Sequence, residues 1–331
     1  MMTKTIDEIA EIAGVSKTTV SLVINGRGEK YRISKKTQKR ILGIVEDNNF
    51  VPDQYARSFR LKKTQTIGLI VPDLTNFFFS KMAYEIELLV RKLDHQILIA
   101  CSDDDEDTEL QVISNLHARR IDALIIASVM EKDKITKDVL NLNIPVVFID
   151  RRIESENISW ISSDNYQGAF DLIDHMCALG LKKICFLGGI ESISTSRNRL
   201  RGYQDALRAN AIAYDPSLVY QSTYTTSSGY DMVEQALSNN GTQVDGLFTS
   251  SLTLLEGTLK FLKEHSEKVP ENLQIGTYDD HPFLDYLSVT IPSVRQDISQ
   301  MAQVAVEMIR DMLAGKEVIK HEVVKPELVI R

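Results

Sequence analysis

From Thr66 onward the chain repeats one pattern, a short apolar run followed by an amphipathic stretch of helical length. "TIGLIV", "QILIAC", "DALIIAS" and "PVVFID" are such runs, and near-continuous apolar segments of this size suit strands buried on both faces of a parallel sheet. Helical patterns at residues 80–94 and 108–119 separate the first three. A second series follows: "ISWIS", a helix near 166–179, "KICFLGG", a helix near 196–210, "VDGLFTS", a helix near 252–264 and "LQIGTYDD". Few folds accept this alternation. It predicts one or two doubly wound α/β sheets, and the 266 residues from position 66 to 331 suit two lobes with a cleft between them. In such sheets ligands sit beyond the carboxyl ends of the strands.

That rule selects residues by position. Asp73, Asn76 and Phe77 follow the first strand, and Asp150, with Arg151 and Arg152 after it, follows "PVVFI". Ser194, Ser196, Arg197 and Arg199 open the helix beyond "KICFLGG". Ser250 and Ser251 follow "GLFT", and Asp279 and Asp280 follow "IGTY". Singly, such residues are usually caps or surface ion pairs. Together at strand ends, carboxylates, arginines and amides around an aromatic ring supply the donors, acceptors and stacking face that a polyol needs. The candidate ligand set is therefore Asp73, Asn76, Phe77, Asp150, Arg197, Arg199, Ser250 and Asp279. "SDDDEDTE" lacks the glycine of a calcium loop and fits a helix N-terminus. His281 has no nucleophile motif beside it, which argues against an enzyme. No metal or other cofactor is expected.

The first 64 residues differ in charge and grammar. They hold 13 Lys and Arg against 7 Asp and Glu, whereas the remainder holds 25 against 39, so a polyanion partner is expected for the first segment alone. Thr5 to Glu8 is a capping box, and Ile6, Ile9, Ala10 and Ala13 form one helical face ended by Gly14. Ser16 caps a second helix whose Val20, Val23 and Ile24 face inward, and Asn25-Gly26 stops it. Two short helices joined through a glycine turn make a helix-turn-helix. In that motif Lys17, Thr18, Ser21 and Leu22 face the major groove or its phosphates. Seven cations from Arg27 to Arg40, Arg32 among them, supply phosphate contacts. Ser34 caps a third helix with Ile41, Leu42 and Val45 on its core side.

Pro52 then breaks the chain, and a short basic amphipathic piece runs to Leu61. It reads as a hinge helix that orders when two copies meet on DNA. Phe59 is either a minor-groove wedge or a linker aromatic packed on the body of the protein. The candidate DNA-binding set is Thr5, Ser16, Lys17, Thr18, Thr19, Ser21, Leu22, Asn25, Arg32, Arg57 and Phe59. The expected boundaries are a DNA-binding head at 1–50, a hinge and linker at 51–65, and a ligand-binding and dimerisation core at 66–331. There is no apolar run of membrane-spanning length and no apolar signal segment after the first Met, so no membrane partner is expected. Cys101, Cys177 and Cys185 lie in or beside apolar runs, which predicts buried thiols in a reducing cytoplasm.

The stretches "TIDEIAEIAGVSKTTVSLVING", "VPDQYARSFR", "TIGLIVPDLTNFFF", "RLRGY" and "GTYDDH…VRQD" resemble the lactose/galactose-repressor family of transcription regulators along the whole chain. "NGRGEKYRIS", "SSGYDM" and "YDDHPFLDYLSVTI" resemble the fructose-responsive and sucrose-operon members. The resemblance implies an all-α helix-turn-helix head on a periplasmic-binding-protein-like core, and a cytoplasmic homodimer on palindromic double-stranded operator DNA. It implies base reading by Lys17, Thr18 and Leu22, and ligand contacts by Asp150, Arg197, Arg199 and Asp279. It further implies repression of a sucrose-utilisation operon relieved by fructose or fructose 1-phosphate. The alternatives are a broader fructose-responsive regulator and a sugar-binding transport protein. Two departures stand out: Phe59 where the family usually has Leu, and Ser250-Ser251 where Asn-Asp is frequent. No heptad tail follows "ELVIR", so a dimer rather than a tethered tetramer is expected.

Overall fold

Side-chain caps fix the ends of three short helices in the first of two units, Met1–Thr64. The structure, a computed structural model, describes residues 4–48, 50, 63–130, 139, 141–153, 155, 157–240 and 243–331. Residues 51–62 of the expected hinge, with Arg57 and Phe59, lie outside the described residues. Helix α1 (Ile6–Ala13) carries the complete capping box: the Thr5 amide donates to Glu8 Oε2 at 2.6 Å, and the Glu8 amide donates to Thr5 Oγ1 at 3.4 Å. Gly14 ends it at φ 60°, a conformation that a Cβ would strain. Helix α2 (Lys17–Ile24) starts on Ser16, whose hydroxyl accepts from the Thr19 amide at 3.2 Å. Helix α3 (Lys35–Asp47) starts likewise on Ser34, at 3.1 Å from the Thr37 amide. Ile9, Ala10, Ala13, Val20, Val23, Ile41 and Phe50 make the small core. Leu42, expected on that core side, is 49% exposed. One residue past Ile41 lies about 100° round the helix, so Ile44 takes the inward place beside the expected Val45.

The second unit, Gln65–Arg331, has two six-stranded sheets. In chain order it runs β1 (Thr66–Val71), α4 (Phe77–Arg91), β2 (Gln96–Cys101), α5 (Glu106–Ala118), β3 (Ala123–Ile126), β4 (Val146–Ile149) and β5 (Ser159–Ser163). There follow α6 (Asn165–Ala178), β6 (Ile184–Gly188), α7 (Ser194–Ala209), β7 (Val219–Gln221), α8 (Thr226–Asn240), β8 (Gly246–Thr249), α9 (Leu252–Glu264) and β9 (Gln274–Tyr278). The unit closes with β10 (Ser293–Arg295), α10 (Ile298–Leu313), β11 (His321–Val324) and β12 (Glu327–Val329). The first sheet has the order β11-β5-β4-β3-β1-β2 and is parallel throughout. The second has the order β12-β10-β9-β8-β6-β7 and is parallel except that β12 runs antiparallel to β10. The orders correspond position by position, so β4 in one lobe matches β9 in the other.

Three features differ from the sequence reading. "ISWIS" opens no second series. As β5 it pairs with β4 in the first sheet, Val147 opposite Ser159. "QILIAC" is an edge strand rather than a buried one, because β2 ends its sheet, and Leu98 and Ile99 are exposed. Cys185 is buried, but Cys101 and Cys177 are half-buried; all three are free thiols.

The chain passes between the lobes three times, at 163–165 from β5 to α6, at 295–298 from β10 to α10, and at 324–327 from β11 to β12. Helix α10 belongs to the first lobe: Met301, Ala302, Ala305, Met308 and Ile309 bury against β3, β4, β5 and α4. No helix among the described residues is long and apolar enough to cross a membrane.

Candidate ligand cleft and nucleic-acid face

Strand ends from both lobes converge on one cavity. From the first lobe come Asp73, Asn76, Phe78, Phe79, Asp104, Asp150 and Arg151; from the second, Thr195, Arg199, Tyr224, Ser251 and Asp279. Gln296, on the second crossing, completes the wall.

Asp150 follows β4 at φ 67° and Asp279 follows β9 at φ 71°, the left-handed region that side chains other than glycine seldom adopt. Strain of this kind persists where surrounding structure imposes it and gathers at binding sites. Both carboxylates are buried. Burial pushes the Asp150 carboxyl up to about 6, against the pull of Arg199 and Arg151. Burial raises Asp279 too, against Arg199 and a 2.6 Å hydrogen bond from Gln296 Nε2. Arg199 links the elements around it. Its Nε donates to Asn165 Oδ1 at 2.8 Å, its Nη1 donates to the Ser250 carbonyl at 2.6 Å, and its guanidinium carbon lies 3.7 Å from the Tyr278 ring centroid.

Arg151 is buried beside Asp104, Nη2 to Oδ1 2.6 Å, with its guanidinium 5.9 Å from the Phe79 ring. Among the described residues Arg151 Nε and Nη1, Asp150 Oδ1 and Gln296 Oε1 are buried without a hydrogen-bond partner. Tyr224 reaches the cavity from the loop after β7, its hydroxyl 2.7 Å from Ser196 Oγ. Interleaved donors and acceptors beside aromatic rings match hydroxyl groups, which both donate and accept.

The structure thus gathers Asp73, Asn76, Asp150, Arg199 and Asp279 of the candidate set at one cavity. Asn76 also caps α4 through the Phe78 amide, and Asp73 accepts from Thr75. The other three sit differently. Arg197 is exposed and donates to the Ser192 carbonyl. Two residues apart on a helix lie about 200° round the axis, so Arg197 and Arg199 cannot share a face. Phe77 turns edge-on to His281, ring centroids 4.0 Å apart, and leaves the wall to Phe78 and Phe79. Ser250 offers its carbonyl to Arg199, while Ser251 both lines the cavity and caps α9 through the Leu254 amide.

Sequence reasoning missed Asp104, Thr195, Tyr224, Gln296 and the role of Arg151. Adjacency to Asp150 was a usable signal for Arg151, as was "VRQD" for Gln296. Tyr224 carried none, because the three-residue strand before it is too short for a pattern.

In the first unit, Lys17 and Thr18 are exposed and Ser21 and Leu22 half-buried along α2, whose first turn holds no acidic residue. Lys17 Nζ pairs with Asp7 at 2.8 Å, both side chains exposed. Thr5, Ser16 and Thr19 are engaged at helix ends, and Asn25 Nδ2 donates to the Ser21 carbonyl at 2.7 Å. Arg32, at φ 56°, lies in a loop closed by a 2.9 Å bond from the Ile33 amide to the Gly28 carbonyl. Arg27, Lys30, Arg32, Lys35, Lys36, Lys39 and Arg40 are all exposed. Helix N-terminal amides together with exposed cations are what phosphate groups bind.

Comparison with known proteins agrees with both units. Residues 5–53 match the family model described as bacterial regulatory proteins, lacI family, and residues 64–309 match that of periplasmic binding proteins and the sugar binding domain of the LacI family. The chain is 36% identical over 312 residues to the sucrose operon repressor of Klebsiella pneumoniae, covering 94% of this chain and 93% of that one. It is 33% identical to the fructose operon regulatory protein of Vibrio cholerae, with 99% of each covered. The Lac repressor dimer bound to operator and the anti-inducer ONPF shares its fold, with TM-score 0.85, 22% identity, and 100% and 98% of the two chains covered. The Cra transcriptional dual regulator of Pseudomonas putida, in complex with fructose 1-phosphate, gives TM-score 0.75 at 27% identity over 81% of this chain and 98% of that one. Family models over both units and a relative above 30% identity along nearly the whole length make this chain a DNA-binding transcriptional regulator of the LacI family.

Proposed function

We propose that the chain represses a sucrose-utilisation operon and leaves its operator when fructose or fructose 1-phosphate fills the cleft. The observation that carries the reading is the convergence of Asp150 and Asp279, one from each lobe, around Arg199. A ligand touching all three has contacts in both lobes and therefore favours one lobe arrangement over another. Coupling of this kind is typically worth about 1–3 kcal/mol. The sucrose operon repressor and fructose operon regulatory protein among the relatives favour this sugar class. A broader fructose-responsive regulator is the second reading, favoured by the Cra complex with fructose 1-phosphate.

In this reading residues 1–50 bind DNA, 51–65 form the hinge and 66–331 hold the ligand and the dimer contact. Lys17, Thr18, Ser21 and Leu22 meet the groove, with Thr5, Ser16, Thr19, Asn25, Arg32 and Arg57 at its backbone or flanks and Phe59 as a wedge in the minor groove. The protein acts in the cytoplasm as a homodimer on a palindromic site. Exposed Tyr84, Leu98 and Ile99 on α4 and the β2 edge suit contact with a second copy. It works as a regulator and not as an enzyme, as its relatives do.

Footprinting on the DNA flanking the gene, with and without each sugar, tests the reading. Protection of a palindrome that either sugar relieves supports it. Protection that neither sugar alters removes the inducer assignment.

A further inference from the structure

We infer that Asn165 is a positioning residue that ties occupancy of the cleft to the first crossing between the lobes. Asn165 is fully buried at the start of α6, where the chain has just left β5. Its Oδ1 accepts from Arg199 Nε at 2.8 Å, and its Nδ2 donates to the Ser163 carbonyl at 3.0 Å. That orientation is forced, because a guanidinium only donates and a peptide carbonyl only accepts. Asn165 does not line the cavity, so it acts through Arg199.

The other end of the link is backbone shared by two crossings. Ser163 is the last residue of β5 and pairs with Val324 of β11, and the Asp164 amide donates to the Val324 carbonyl at 2.8 Å. A shift of the Arg199 guanidinium toward a ligand therefore reaches the first and third crossings through one side chain. The second crossing has a parallel link from Gln296 to Asp279 at 2.6 Å. Gln296 also lines the cavity, which mixes direct contact with positioning, so Asn165 is the residue that isolates the link. The inference rests on the proposed reading of the cleft as a sugar site that controls DNA affinity.

The test uses the full-length protein, D-fructose and fructose 1-phosphate as probes, and the footprinted operator. Two quantities are read: sugar affinity by calorimetry, and the ratio of operator affinities without and with saturating sugar. Asn165→Asp keeps the acceptor for Arg199 and loses the donor to Ser163. It is expected to hold sugar affinity within about 3-fold while the ratio falls from a wild-type value of about 5–150 to below about 2. Asn165→Ala loses both bonds and is expected to weaken sugar binding about 10-fold or more as well. Retained sugar binding with a lost ratio in Asn165→Asp is the signature that a merely structural role does not produce, and it decides alone if Asn165→Ala fails to fold. A wild-type ratio in the folded Asn165→Asp protein overturns the inference while leaving the cleft reading intact. A wild type that binds neither sugar overturns the cleft reading, and this inference falls with it.

Discussion

Asp150 and Asp279 occupy matching places in the two lobes: each follows the third strand in its sheet order, and each takes a left-handed backbone with its carboxylate buried near Arg199. Two like charges with one shared cation leave the site short of positive charge, and burial raises both carboxyls.

Protonation of Asp150 is therefore linked to folding. Its carboxyl sits at about 6 in the folded protein against an ordinary 3.8. The folded state binds that proton more tightly, so this contribution favours folding fully below pH 3.8 and is lost as pH rises through 6. Above that pH the buried ion costs up to about 3 kcal/mol. Asp150→Asn is expected to raise the melting temperature of the sugar-free protein at pH 7.5 and to raise it less at pH 5, by scanning calorimetry. Equal shifts at both pH values contradict the linkage.

Arg199 engages Asn165, the Ser250 carbonyl and the Tyr278 ring face with one planar group. A lysine ammonium cannot meet three such partners at once. Arg199→Lys is expected to weaken sugar binding by about 2–3 kcal/mol, read by calorimetric titration. An affinity equal to wild type removes Arg199 from the site.

Lys17 is held by Asp7 on the exposed face of the helix-turn-helix. Lys17→Ala is expected to lower the salt dependence of operator binding by about one phosphate contact. Asp7→Asn releases the lysine and is expected to tighten operator binding. The exposed pair itself contributes at most about 1 kcal/mol to stability. A salt titration of operator affinity, paired with a thermal melt, separates the two effects.

Gly257 and Gly43 make a contrasting pair. A Cβ on Gly257 would stand 1.9 Å from the Thr226 carbonyl oxygen, where α9 meets α8. Gly257→Ala is expected to destabilise by about 1–3 kcal/mol or more. At Gly43, within α3, nothing lies within 4 Å of the added atom. Gly43→Ala is expected to stabilise its helix by about 0.5–1 kcal/mol. Denaturant unfolding of the full chain checks both signs.

Local chemistry was the legible part of this sequence. Thr5, Gly14, Ser16 and Ser34 end helices through contacts within a few residues, so their types and spacing were enough. The place of Asp150 and Asp279 at the cavity was legible because a parallel strand delivers its next residue to the carboxyl edge of its sheet whatever lies around it. Long-range decisions were hidden. Which sheet takes β5 depends on pairing with β4 and β11, and nothing in "ISWIS" records that. Arg197 and Arg199 read alike until the helix phase separated them. Helix α10 had a plain 3.6-residue period from Met301 to Ile309, but its return to the first lobe is a property of topology.

That return shapes how the protein is made. A nascent chain leaves the ribosome from its first residue onward, so β1 to β5 emerge long before α10 and β11 exist to cover and extend them. The second lobe also waits for β12, its antiparallel edge. Neither lobe is a contiguous block of the gene, and the lobe that is begun first depends for its completion on residues as late as Val324.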